Sequence, residues 1–138
     1  VGSGWSVRAF EREILAASSR LVVLRAPWGA ANSIAIAGYC AFRVVADEME
    51  LLSLAVRPEW RRQGLARWLA RQAFAMGTRM GSRTVFLEVR SGNEPARQLY
   101  ASLGFEAVGR RPGYYKDPVE DAIVLARRLP LPAGALNS

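Results

Sequence analysis

The spacing of apolar residues changes several times along the chain, and each change predicts an element. Phe10, Ile14 and Leu15 recur at near-helical intervals, Ser6 can cap their helix, and Glu11 and Glu13 fall in its early turns, so residues 5–17 read as a helix. Residues 20–26 and 34–45 are β-branched and leucine-rich runs separated by Pro27, Gly29 and Asn32-Ser33. Two such runs around turn-forming residues predict an antiparallel hairpin. A third strand over 48–56, entered through a turn near Asp47 and stopped by Pro58, extends the hairpin to a meander.

From Leu65 the period becomes three to four. Leu65, Trp68, Leu69, Gln72, Ala73, Met76 and Met80 make one stripe, with Arg67, Arg71 and Arg79 elsewhere on the cylinder, and Gly81 ends a long amphipathic helix. Trp68 is expected in the core on this count. Residues 84–90 alternate, Val85, Leu87 and Val89 against Phe86, Glu88 and Arg90, as a largely buried strand does. Asn93 or Glu94 can cap the next helix, with Pro95 in its first turn, an apolar stripe of Ala96, Leu99, Tyr100 and Leu103, and Gly104 at its close. Strands near 105–111 and 121–129 follow, with Tyr114 and Tyr115 in a Gly-Pro-rich loop between them. Residues 1–130 therefore read as one domain and 131–138, rich in Pro, Ala and Gly, as a tail that frays.

Composition narrows the chemistry. With 138 residues, 51% hydrophobic and 22% charged, the chain has the make-up of a globular domain, and no apolar run reaches the ~20 residues that cross a bilayer. Histidine is absent, which excludes histidine-based triads and the usual zinc sets. Cys40 cannot form an internal disulfide and reads as a small buried hydrophobe. The first eight residues carry no basic stretch followed by an apolar core, so the expected location is cytoplasmic. A net charge of +7, with Lys116 the only lysine, points to an anionic ligand, because guanidinium forks match phosphate and carboxylate.

The segment from Val56 to Ala66, Val-Arg-Pro-Glu-Trp-Arg-Arg-Gln-Gly-Leu-Ala, joins a strand to the N-terminus of the long helix. Free helical N–H groups and the macrodipole make an anion site there, and Gly64 lets a phosphate approach the backbone; a plain solvated loop fits the same pattern. Glu88, in an otherwise apolar strand, is a candidate proton acceptor whose pKa burial should raise, or else a structural partner of Arg90 or Arg110. Tyr100 is either a phenolic acid or a core tyrosine. Asp117, Glu120 and Asp121 read as a solvated acidic turn rather than a receptor for a cationic amine.

The spacing Arg61-x-x-Gly64-x-Ala66 between strand and helix resembles the acetyl-CoA pyrophosphate loop of the GNAT family of acetyltransferases. Leu87-Glu88-Val89-Arg90-Ser91-Gly92-Asn93, followed by residues 96–105, resembles that family's second cofactor-binding half. Leu87 to Arg90, residues 110–115, Glu120 to Ile123 and Trp5-Ser6 are similar to RimI-type ribosomal-protein alanine N-acetyltransferases. The resemblance implies an α+β fold in which a mixed, mostly antiparallel sheet flanked by helices splays open over acetyl-CoA. It implies that the backbone of Leu54, Ala55 and Val56 holds the acetyl carbonyl and pantetheine arm, that Arg62, Gln63, Gly64, Leu65, Ala66 and Arg67 cradle the pyrophosphate, and that Asn93 contacts the cofactor. Glu88 is then the general base, Tyr100 the acid facing the departing thiolate, and Tyr115 a substrate-side residue; no metal is implied. The implied reaction is acetyl transfer to a protein N-terminus by direct attack in a ternary complex, a ribosomal-protein alanine being the favoured target. About twenty further residues, a first strand and part of a helix, would precede Trp5-Ser6 in such a protein. A GNAT acting on lysine or a small amine, a basic RNA-binding module and a CoA-binding protein without catalysis are the rival readings, membranes have no part, and oligomeric state is left open.

Overall fold

The computed structural model describes residues 19–26 and 35–130; the helix expected over residues 5–17, the first hairpin turn and residues 131–138 lie outside that range. Six strands form one sheet: β1 (Ser19–Ala26), β2 (Ala35–Val45), β3 (Glu48–Val56), β4 (Thr84–Arg90), β5 (Glu106–Tyr115) and β6 (Glu120–Arg128), in spatial order β1-β2-β3-β4-β6-β5. β1, β2 and β3 are the predicted antiparallel meander, and β4, β6 and β5 form a second antiparallel group. The groups meet along a short parallel ladder of Glu48 with Thr84, Met49 with Val85 and Glu50 with Phe86. Past Glu50 and Phe86 the two strands carry no further ladder, and the sheet is open from there to the ends of both strands.

Two helices cover one face, α1 (Leu65–Arg79), which packs on β1 to β3, and α2 (Glu94–Ser102). α2 begins as its sequence dictates: Asn93 is the cap, its Oδ1 accepting from Ala96 N at 3.2 Å, and Pro95 sits in the first turn. Val85, Leu87 and Val89 of β4 join Leu69, Phe74, Tyr100, Leu103 and Phe105 in the core, while Phe86, Glu88 and Arg90 stay half-buried on the other face. Cys40 is wholly buried, and burial pushes its thiol up to about 12, well out of the range of a nucleophile.

The buried stripe of α1 differs from the expected one. Leu69, Ala70, Ala73, Phe74 and Gly77 face the sheet, whereas Trp68, 44% exposed, and Met80 lie outside the core. The reason is steric. A Cβ on Gly77 would stand 2.5 Å from Met49 Sδ, so the helix comes closest to β3 along the line of its smallest residues and turns its bulkiest apolar side chain outward. Gly77→Val should therefore lower stability by about 1–3 kcal/mol, the usual cost of overpacking, read as a fall in the urea midpoint at constant m-value.

The Tyr114 and Tyr115 expectation also changes. β5 runs on to Tyr115, and register shifts between Ala107 and Gly109 and between Arg111 and Tyr115 absorb the residues that Pro112 and Gly113 prevent from pairing regularly. The tyrosines thus stand on the sheet rather than in a free loop.

Candidate active site

The opening between β3 and β4 is built by two departures from regular strand structure. In β3, Ala41 opposes Ser53 but Phe42 opposes Leu51, so Leu52 is an extra residue that bends the strand. Beyond it, Leu54, Ala55 and Val56 keep their pairing with β2 and have no strand on the other side. Gly38, opposite Val56, holds this segment tightly, since a Cβ there would stand 2.7 Å from the Ala55 carbonyl oxygen.

Leu54, Ala55 and Val56 face Ala66, Asn93, Ala96 and Tyr100 across a cleft of about 370 Å³. It continues into a pocket of about 210 Å³ against Arg62, Gly64, Leu65, Ala66 and Arg67. Val56, Arg61, Ala66 and Leu99 line both, so the two are one groove. Of the expected cofactor residues only Gln63, exposed in the loop, lines neither part.

The Gly64 end of the groove has the electrostatic features that could hold an anion. Gly64 is the N-cap of α1 with φ +77°; no side chain caps the helix and no acidic residue stands in its first turn. The Trp68 N–H is the first to bond back, to Gly64 O at 3.0 Å, which leaves the preceding amides of the first turn at the pocket wall. Arg62 itself has φ +66°, an uncommon backbone state that adds to the curl of the loop. Two nearby arginines brace this wall: Arg61 Nε donates to Val56 O at 3.0 Å, and Arg67 reaches Ser102 Oγ at 2.8 Å at the end of α2. Space for a ligand is real, because a Cβ on Gly64 would meet no protein atom within 4 Å.

At the other end, Tyr100 is fully buried on α2, its ring edge-on to Phe105 with centroids 5.4 Å apart. Burial first, then Cys40, holds its pKa above the ordinary tyrosine value, so the hydroxyl keeps its proton. That buried hydroxyl has no hydrogen-bond partner among the described residues.

Glu88 lies on the opposite face of β4, two residues past the last β3–β4 pair, where the missing ladder joins the two faces. The expected partners are otherwise engaged, Arg90 with Glu120 at 3.1 Å and Arg110 with Asp121 at 2.5 Å. Glu88 pairs with Arg111 instead, its Oε2 against Arg111 Nε. No donor is aligned on that shielded oxygen, so charge rather than a directed hydrogen bond holds the contact. Tyr114 is the second neighbour: the Glu88 carboxylate beside it, then burial, raises the phenol's pKa.

Tyr115 packs behind Tyr114 at 5.1 Å, beneath the Arg90 guanidinium at 4.5 Å, and burial followed by the Glu88 charge raises its pKa. Glu120 and Asp121 are bonded rather than solvated. Glu120 accepts from Gly92 N at 2.5 Å and Asp121 from Gly113 N at 2.8 Å; these bonds, with the arginine pairs, lower both pKa values and fasten the β5–β6 end to the loop that begins α2. Sequence reading had missed Arg111, whose proximity to Glu88 depends on strand register.

A groove thus runs between two parting strands, with the free first-turn amides of α1 at one end and a buried hydroxyl, unpartnered among the described residues, at the other. The sequence profile of the acetyltransferase (GNAT) family matches residues 4–105, and the chain belongs to that family. It is 41% identical over 93 residues to the ribosomal protein bS18-alanine N-acetyltransferase of Escherichia coli K12, a match covering 66% of this chain and 63% of that enzyme. It is 33% identical over 129 residues to the N-alpha-acetyltransferase RimI of Mycobacterium tuberculosis, covering 89% and 75%. The crystal structure of the Escherichia coli ribosomal-protein-S18-alanine N-acetyltransferase superposes with a TM-score of 0.77 at 32% identity, over 97% of this chain and 83% of that one. The chain spans about three fifths of the length of the first curated relatives it matches. Among the described residues no helix is long and apolar enough to cross a membrane, and no cluster of His, Cys, Asp or Glu could hold a metal ion.

Proposed function

We propose that the chain transfers an acetyl group from acetyl-CoA to the N-terminal α-amine of a protein in the cytoplasm, an alanine of a ribosomal protein being the favoured acceptor. The observation that carries this reading is the Tyr100 hydroxyl, buried and unpartnered at the wall of the groove. Leaving such a group unsatisfied costs about 1–3 kcal/mol, a cost that a ligand atom in the groove removes. The carrier fits the groove: the α1 amides and Gly64 suit its diphosphate, and the free edge of β3 suits an amide-bearing arm.

When bound, acetyl-CoA supplies the acetyl group in activated thioester form. The backbone of Leu54 to Val56, on the stretch of β3 past its last pair with β4, would lie along the arm, Asn93 at the head of α2 would contact the cofactor, and the proton-bearing Tyr100 hydroxyl would donate to the departing sulfur. A peptide α-amine, with an ordinary pKa of ~8, arrives mostly as the ammonium ion. Glu88 accepts its proton, directly or through a water, so that nitrogen can attack. Tyr114 and Tyr115 wall the approach from β5. The name of the Escherichia coli relative supports an alanine as acceptor, and that of the Mycobacterium tuberculosis relative supports an α-amine.

The test is to incubate the chain with acetyl-CoA and a peptide panel that varies the first residue, each peptide paired with its N-terminally blocked, lysine-containing counterpart. Mass spectrometry should place acetyl on the free α-amine, fastest with alanine first. Acetyl on lysine alone, or salt-dependent RNA binding without transfer, would replace this reading with one of its rivals.

A further inference from the structure

Glu88 holds a cation before any substrate arrives. Its side chain is 19% exposed, whereas that of Arg111, which neutralises it, is 60% exposed. The pair crosses β6: Arg111 lies in the row of Ala122 and Arg90, Glu88 in the row of Val124, and Gly109 stands opposite Val124. Ala122 and Gly109 are the small residues of these two rows. Its other support is the Tyr114 ring, 5.5 Å from the guanidinium carbon, within the range of a cation–π contact.

We infer that Arg111 is a positioning residue that occupies the ammonium subsite of Glu88, and that productive binding of the amine substrate displaces it. The inference rests on the assignment of Glu88 as the group that meets the amine. A shielded carboxylate is costly without a counter-charge, so one cation leaves as the other enters and the carboxylate stays neutralised throughout. Departure of the guanidinium is helped by its own exposure, because solvent and the Tyr114 face receive it as the ammonium takes its place. The exchange also selects. A neutral N-blocked peptide brings no cation to replace Arg111 and leaves the carboxylate covered.

The closing experiment measures steady-state acetylation of the alanine-first peptide by the wild-type chain, Arg111→Gln and Arg111→Lys, with acetyl-CoA affinity measured for each. Removal of the competing cation should lower KM for the peptide about tenfold in Arg111→Gln with kcat within about twofold, while Arg111→Lys, whose cation gives way more readily than arginine, should fall between the two. Added guanidinium chloride at tens of millimolar, too dilute to unfold the protein, should inhibit Arg111→Gln competitively with the peptide and affect the wild type less. An unchanged or raised KM in Arg111→Gln, or a fall in kcat alone, overturns the inference. If Arg111→Gln fails to fold, Arg111→Lys with added guanidinium decides it, since a shorter, less planar cation should give way more readily than the wild-type arginine; equal inhibition of both overturns it. Failure of the functional reading looks different, because then the wild-type chain itself acetylates no α-amine.

Discussion

Glu88→Gln should leave a folded protein that binds acetyl-CoA normally and acetylates an α-amine at least ~10²-fold more slowly, the usual contribution of a positioned general base. The amide keeps the shape and most of the hydrogen-bonding capacity of the carboxylate. It loses the ability to take up a proton and the attraction for Arg111, whose side chain is largely in solvent, so thermal stability should change little. Tyr100→Phe is the companion experiment and separates function from stability more sharply. Its hydroxyl is buried without a partner, so its removal should leave Tm unchanged or raise it while kcat falls. A core tyrosine with a merely structural role would show the opposite pairing, lower stability with intact turnover. Stopped-time acetylation assays, thermal melts and a CoA titration on the two variants give all three readouts. Wild-type rates in both would remove Glu88 and Tyr100 from the chemistry.

What the sequence disclosed follows from which interactions are local. β3 and β4 fall where alternation and the flanking Pro58 and Gly81 put them, and α2 begins at a cap readable from Asn93, Glu94 and Pro95. The uncapped start of α1 at Gly64 was readable too, because a helix N-terminus next to a glycine is a property of a few consecutive residues. The buried stripe of α1 was misjudged because hydrophobicity favours Trp68, whereas the packing distance to Met49 favours Gly77. The extent of β5 was underestimated because Pro112 and Gly113 read as a loop, and only the bulges seen in the sheet carry the strand past them. The partner of Glu88 was misassigned for a deeper reason. Arg90, Arg110 and Arg111 are equivalent by sequence, and the choice among them depends on β6 lying between β4 and β5 in one particular register. Even the opening of the sheet is a long-range feature, three rungs of a parallel ladder followed by none.

Gly64→Val should weaken CoA binding by roughly tenfold or more, the equivalent of at least ~1.4 kcal/mol, at a modest cost in stability. Gly64 has φ +77°, where an L-residue costs roughly 1–2 kcal/mol and a β-branched one is least at ease. The backbone would relax away from that conformation and carry with it the first-turn amides that face the pocket. No protein atom lies within 4 Å of the added Cβ, so a clash within the fold cannot account for the loss. Gly81→Val supplies the control. Gly81 has φ +96° and equally open surroundings, but it stands beyond the far end of α1, away from the groove. Both substitutions impose a similar conformational strain and should lower Tm by a similar few degrees; only the first should reduce the heat released when CoA is titrated in. Dephosphorylated pantetheine, which lacks the diphosphate, should bind Gly64→Val and the wild-type chain alike, because the contacts proposed for it are with β3 and α2. Equal loss of affinity in the Gly64 and Gly81 variants would mean that general destabilisation lowers binding, and the cradle at the head of α1 would then have no special part in holding the carrier.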